Sequence, residues 1–185
     1  TYWNDPIFET FDNTEESRRF LRSALNKSKK TENDMTFEFD IKPYAYQKEI
    51  LENLDAEREI FGRYRNLIVA ATGVGKTVIS AFDYKKFREK NSRARLLFVA
   101  HREEILKKSR DTFRYICKDL NFGELLVGNN KPESIENLFV SIQSLNSSKL
   151  LERTSLDFYD YIVIDEVHHG AAASYQKLLE YYKPK

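Results

Sequence analysis

The sequence predicts an α/β domain: a mainly parallel sheet with helices on both faces. Two observations carry this. Short apolar runs rich in β-branched and aromatic residues recur along the chain, and amphipathic stretches of helical spacing alternate with them. The size agrees, since 185 residues with 41% hydrophobic content suffice for one domain that buries most of its apolar surface.

Taken in order, residues 1–39 differ from the rest. The stretch "NTEESRRFLRSALNKSKKTEND" places Phe20, Leu21 and Leu25 at helical spacing and then turns charged. It reads as a leading helix and linker ahead of a domain spanning 40–185. Lys27 to Lys30 could touch phosphate or simply be solvated. "NLIVAA" (66–71) reads as the first buried strand, and "KTVISAFDYKKFREK" follows it with Val78, Ile79, Phe82 and Phe87 along one helical side. "RLLFVA" (95–100) is the next strand. "REEILKKSRDTFRYICKDL" then aligns Ile105, Leu106, Phe113, Ile116 and Leu120 on a second helix. Two more strands close the pattern, the short "LFVSI" (138–142) and "YIVIDE" (161–166).

Composition narrows the function. A net charge of +1 offers no global basic field, so any nucleic-acid contact must come from local patches. Cys117 is the single cysteine, which excludes an intrachain disulfide and a cysteine-rich zinc site and suits a reducing compartment. No apolar run approaches the ~20 residues of a membrane span, and the acidic "TYWNDPIFETFD" is unlike a secretory signal. The expectation is a cytoplasmic protein. Because the chain starts without Met, it reads as a piece of something longer.

The chemistry centres on "AATGVGKT", residues 70–77. A phosphate-binding loop has the form G-x-x-x-x-G-K-[ST], and here Ala70 replaces the first glycine. The rest is intact. Placed between a strand and a helix, Thr72, Gly73, Val74 and Gly75 can turn their backbone N–H groups on phosphate oxygens; Lys76 can reach the β and γ oxygens, and Thr77 can offer its hydroxyl to Mg²⁺. Ala70 stands before the tight wrap, where a methyl group is tolerable. The second half of such a site is an acidic pair at a strand end, which Asp165 and Glu166 supply. Asp165 would hold the metal through water and Glu166 would polarise the attacking water. His168 and His169 lack the further ligands of a tetrahedral zinc site and read as relay or contact residues. Upstream, Gln47 stands among Tyr44 and Tyr46. Its amide matches the N6 and N7 edge of adenine, although a helix cap or a surface amide would use the same residue.

These pieces, in this order, resemble the first RecA-like motor domain of a superfamily 2 DExH-box helicase. "KPYAYQ" resembles the adenine-reading element, "ATGVGKT" motif I, "FVAHREEIL" motif Ia, "VSIQSL" a later DNA-facing motif and "DEVHH" motif II. "HREEIL", and the "GAAASY" that follows "DEVHH", bring the chain nearest to the type III restriction res-subunit group of DEAD-like helicases. The resemblance covers about residues 40–183. It implies a P-loop NTPase fold, ATP and Mg²⁺ as cofactors, DNA as partner, and catalytic roles for Lys76, Asp165, Glu166 and His168. It also implies that His101, Arg102, Ser141, Gln143 and Ser144 line the nucleic-acid path, for which helix capping is the competing account of Ser144. A second RecA-like domain with arginine fingers would complete the engine, and residues 1–39 could tether an upstream nuclease domain. By this reading the full-length protein is an ATP-dependent DNA helicase or translocase and the 185-residue chain alone is nearly inactive. A nucleotide-dependent switch or scaffold without translocation is the alternative.

Overall fold

The computed structural model describes residues 41–71, 73–128, 130–165 and 172–184. The helix and linker expected over 1–39 lie outside the described residues. Among the described residues four strands form one sheet: β1 (Leu96–Ala100), β2 (Glu124–Leu126), β3 (Asn137–Ser141) and β4 (Tyr161–Ile164). Their order is β2-β3-β1-β4, and every pairing is parallel. The helices are α1 (Ala45–Glu59), α2 (Lys76–Lys90), α3 (Glu103–Cys117), α4 (Ile142–Ser147), α5 (Leu150–Arg153) and α6 (Ala172–Tyr181).

All five residues of β1 are buried, which explains why its sequence is uniformly apolar instead of alternating. Successive side chains leave the strand on opposite faces, and each face meets its own set of helices. Leu96, Phe98 and Ala100 join Tyr84 of α2 and Leu106, Phe113 and Ile116 of α3. Leu97 and Val99 join Leu145, Leu150 and Leu151 of α4 and α5, with Tyr175 and Leu178 of α6. Helices on both faces therefore follow from one strand buried on both sides. Phe98, Phe113 and Phe139 pack within 5.3–5.8 Å of one another, centroid to centroid, and each such side chain contributes about 1.5–3 kcal/mol by leaving water.

The helix α3 shows why this order holds locally. Glu103 and Glu104 occupy its first turn, where negative charge meets the positive end of the helix dipole. Leu106, Ser109, Phe113 and Ile116 form its buried stripe. It ends at Lys118 in a left-handed conformation, φ 55°, and Arg114 ties the exit by donating to the carbonyls of Phe122 and Gly123.

One expected strand is corrected. Residues 66–71 carry strand-like residues but belong to none of the four strands, and Leu67 and Val69 are 81% and 85% exposed. Alternation persists, with Ile68 and Ala70 half-buried. A run of β-branched residues expresses a preference, whereas a strand needs a neighbour's N–H and C=O groups. Among the described residues no neighbour pairs with this segment.

Candidate nucleotide site and strand-end ridge

The loop entering α2 is built on glycine conformations. Gly73 and Gly75 have φ of +89° and +83°, a region that L side chains adopt at a cost. At Gly75 an added Cβ would also lie 2.7 Å from Nε2 of Gln47, so that amide would have to move. The helix α2 opens directly after Gly75 with no side-chain cap on its first turn, so its leading N–H groups face the loop with the positive end of the dipole behind them. Lys76 folds back across the loop and donates through Nζ to the carbonyls of Ala70, at 3.0 Å, and Ala71, at 3.3 Å. Thr77 lies half-buried in the first turn. Thr72 is outside the described residues.

Gln47 belongs to this loop as much as to its own helix. It is 3% exposed, accepts from the Tyr44 N–H at 3.0 Å through Oε1 and donates from Nε2 to the Val74 carbonyl at 3.0 Å. The helix-cap reading therefore holds for α1, and the same side chain also touches the glycine loop. One amide hydrogen and one acceptor lone pair are left over. The Val74 carbonyl takes a second hydrogen bond, from the Tyr46 hydroxyl at 3.1 Å. Tyr44 and Tyr46 stack with centroids 5.8 Å apart, exposed beside the loop.

At the far end of the sheet, Asp165 directly follows β4 and its N–H donates to the Val99 carbonyl at 2.9 Å. It therefore stands at the C-terminal edge, where parallel α/β sheets bind ligands. Glu166 and His168 lie outside the described residues.

The residues expected to face nucleic acid are partly assembled by strand register. Ala100 pairs with Ser141, so the residues that follow them, His101 and the start of α4, emerge side by side. Gln143 Nε2 and His101 Nδ1 are 3.0 Å apart, both on exposed side chains. Ser141 is buried, caps α4 by accepting from the Ser144 N–H at 3.0 Å, and donates to Ser144 Oγ at 2.9 Å. Ser144 is thus engaged in the cap. Arg102 is exposed at the N-cap position of α3.

A further polar cluster escapes sequence reasoning. Asp83 of α2, 4% exposed, accepts from Arg58 of α1 through one oxygen and from the Tyr161 hydroxyl of β4 through the other. Burial and the charge of Asp83 hold the Tyr161 hydroxyl well above the ordinary tyrosine value, so it stays a donor. Burial opposes the charge on Arg58 most strongly, but the hydrogen bond to Asp83 and the attraction of Asp83 and its acidic neighbours together outweigh it and raise the guanidinium above its usual value. No local pattern announces this triad, because its members are 25 and 78 positions apart.

An all-parallel sheet wrapped on both faces, with a glycine loop opening a helix and an acidic strand end, defines a RecA-like α/β domain of the P-loop class. Residues 40–185 match the family described as "Type III restriction enzyme, res subunit", and the chain belongs to that family. It is 32% identical over 148 residues, 78% of this chain, to a Schizosaccharomyces pombe protein named "Putative mitochondrial ATP-dependent helicase irc3". It is 29% identical over 153 residues, 76% of the chain, to the type I restriction enzyme EcoAI endonuclease subunit of Escherichia coli. A 51.5 kDa protein of a Lactococcus phage is 33% identical over 117 residues, 63% of the chain. The matches span 24%, 18% and 21% of those relatives. Among the described residues no helix is long and apolar enough to cross a membrane.

Proposed function

We propose that this chain is the ATP-binding first motor domain of an ATP-dependent DNA helicase or translocase. The observation that carries it is the loop itself: two glycines at positive φ, an uncapped helix start and the Lys76 amine converge within one turn of chain. That donor set fits an anion. Gly73 to Thr77 would hold the phosphates of ATP, Thr77 and Asp165 the Mg²⁺, and Glu166 and His168 would act on water and on coupling. Bound Mg²⁺ supplies charge neutralisation at the phosphates. The names of the relatives favour ATP-dependent work on nucleic acid, and the exposed group His101, Arg102 and Gln143 at the strand ends suits contact with phosphate regardless of sequence. The greater length of the relatives leaves room for the second RecA-like domain and the nuclease domain that this reading assigns to the whole protein.

Steady-state ATPase of the full-length protein with and without DNA tests the reading. A several-fold rise with DNA is expected. Lys76-dependent ATP binding with indifference to every nucleic acid would favour a nucleotide switch instead.

A further inference from the structure

The helices α1 and α2 are both 15 residues long, and their contacts advance together. At the start, Gln47 of α1 meets the Val74 carbonyl just ahead of α2. Further on, Asp55 pairs with Lys86 and Glu59 with Lys90, both separated by 31 positions. The two helices therefore run side by side in the same direction. Of the pairs between them, Asp55–Lys86 and Glu59–Lys90 have exposed lysines, while Arg58–Asp83 is the most sheltered, with side chains 17% and 6% exposed. Solvent-exposed pairs do little to fix geometry. A half-buried arginine on a buried carboxylate, with Tyr161 of the sheet occupying the other oxygen, holds one arrangement.

Arg58 lies eleven positions after Gln47, about 16 Å along a helix. With α1 clamped at that distance, the direction of its first turn, and so the placement of the Gln47 amide, depends on the clamp. The proposed phosphate contacts are made by the loop and the start of α2 and not by α1, so they feel the clamp only through the bonds of Gln47 and Tyr46 to the Val74 carbonyl.

We propose that Arg58, Asp83 and Tyr161 are positioning residues for nucleobase selectivity: they lock α1 against α2 and the sheet so that the leftover donor and acceptor of Gln47 are presented to the base at a fixed angle. The proposal rests on the nucleotide-binding reading above. None of the three touches the nucleotide; they act through Gln47.

The test compares wild type with Tyr161→Phe and with the double variant Arg58→Met/Asp83→Leu, in the full chain. Replacing both charges by apolar groups of similar size avoids leaving one buried and unpaired, and Tyr161→Phe keeps the ring against Tyr84 and Phe87. Binding of ATP, GTP and inorganic tripolyphosphate is measured by calorimetry, with Lys76→Ala as control. Wild type is expected to prefer ATP to GTP. The double variant should lose about tenfold of that preference, equivalent to one hydrogen bond, with tripolyphosphate affinity within about twofold of wild type. Tyr161→Phe should lose a smaller part. An unchanged ATP-to-GTP ratio overturns the proposal, as does a parallel loss for all three ligands or a wild type indifferent to the base. Absence of Lys76-dependent binding of tripolyphosphate in wild type would instead sink the nucleotide reading itself.

Discussion

Gln47 and Gly75 stand so close that the Cβ of any other residue at 75 would lie 2.7 Å from Gln47 Nε2 and push that amide aside. Gly73 has a similar positive φ but nothing within 4 Å of its would-be Cβ. Gly73→Ala should therefore cost about 1–2 kcal/mol of backbone strain alone, whereas Gly75→Ala adds displacement of the Gln47 amide from Val74. Urea unfolding of both, each with and without Gln47→Ala, checks this. The excess at Gly75 should vanish in the Gln47→Ala background; its persistence would mean that the clash is with something else.

Lys76→Ala should weaken ATP binding by ~1.5–3 kcal/mol, the worth of a charge-assisted contact. Equal affinity in the variant and wild type, by titration, would show that the loop holds no phosphate.

Arg102 is exposed at the start of α3, one residue past His101 and its contact with Gln143. Arg102→Ala should lower affinity for DNA of every sequence and reduce the salt slope by about one. Loss restricted to a single sequence would point to base readout.

The 185-residue chain should bind nucleotide yet hydrolyse it slowly even with DNA added. Charge developing on the transferred phosphoryl group calls for an arginine finger, worth ~10³–10⁵ in rate, which the proposed second domain would supply. Brisk DNA-stimulated turnover by the chain alone would place that arginine inside it.

Cys117 ends α3 against the α2 side of the core, and burial pushes its thiol up to about 11. Since its folded value lies above its unfolded one, the stability it contributes is full below pH ~9 and is lost as pH rises through about 11. Thiolate absorbance should titrate with a midpoint near 11 in the native protein and near the ordinary value in urea; a native midpoint at the ordinary value would mean that the thiol is not desolvated.

Much of the fold was legible in the sequence. The runs around 96–100, 137–141 and 161–164 became parallel strands because each holds at least three consecutive apolar residues, and such runs are stable when covered on both faces. The helix of Val78 and Ile79 and that of Leu106 and Phe113 appeared for a related reason: a 3.6-residue period of apolar positions has one use next to a sheet. The three-residue strand β2 was not visible, being too short to show a period, and α4 to α6 were too brief or too mixed.

What the sequence by itself determined is the class of domain and the position of its glycine loop, because strand-length apolar runs, helical periodicity and the glycine-lysine spacing are local patterns. Tertiary structure decided the rest. It left 66–71 outside the sheet, since a ladder depends on a partner and not on propensity. It turned Gln47 toward Val74 and spent the Ser141 hydroxyl on a cap. It also joined Arg58, Asp83 and Tyr161 across three elements. Hydrogen bonds and ion pairs act over a few ångströms in space, and only folding sets which distant residues fall within that reach.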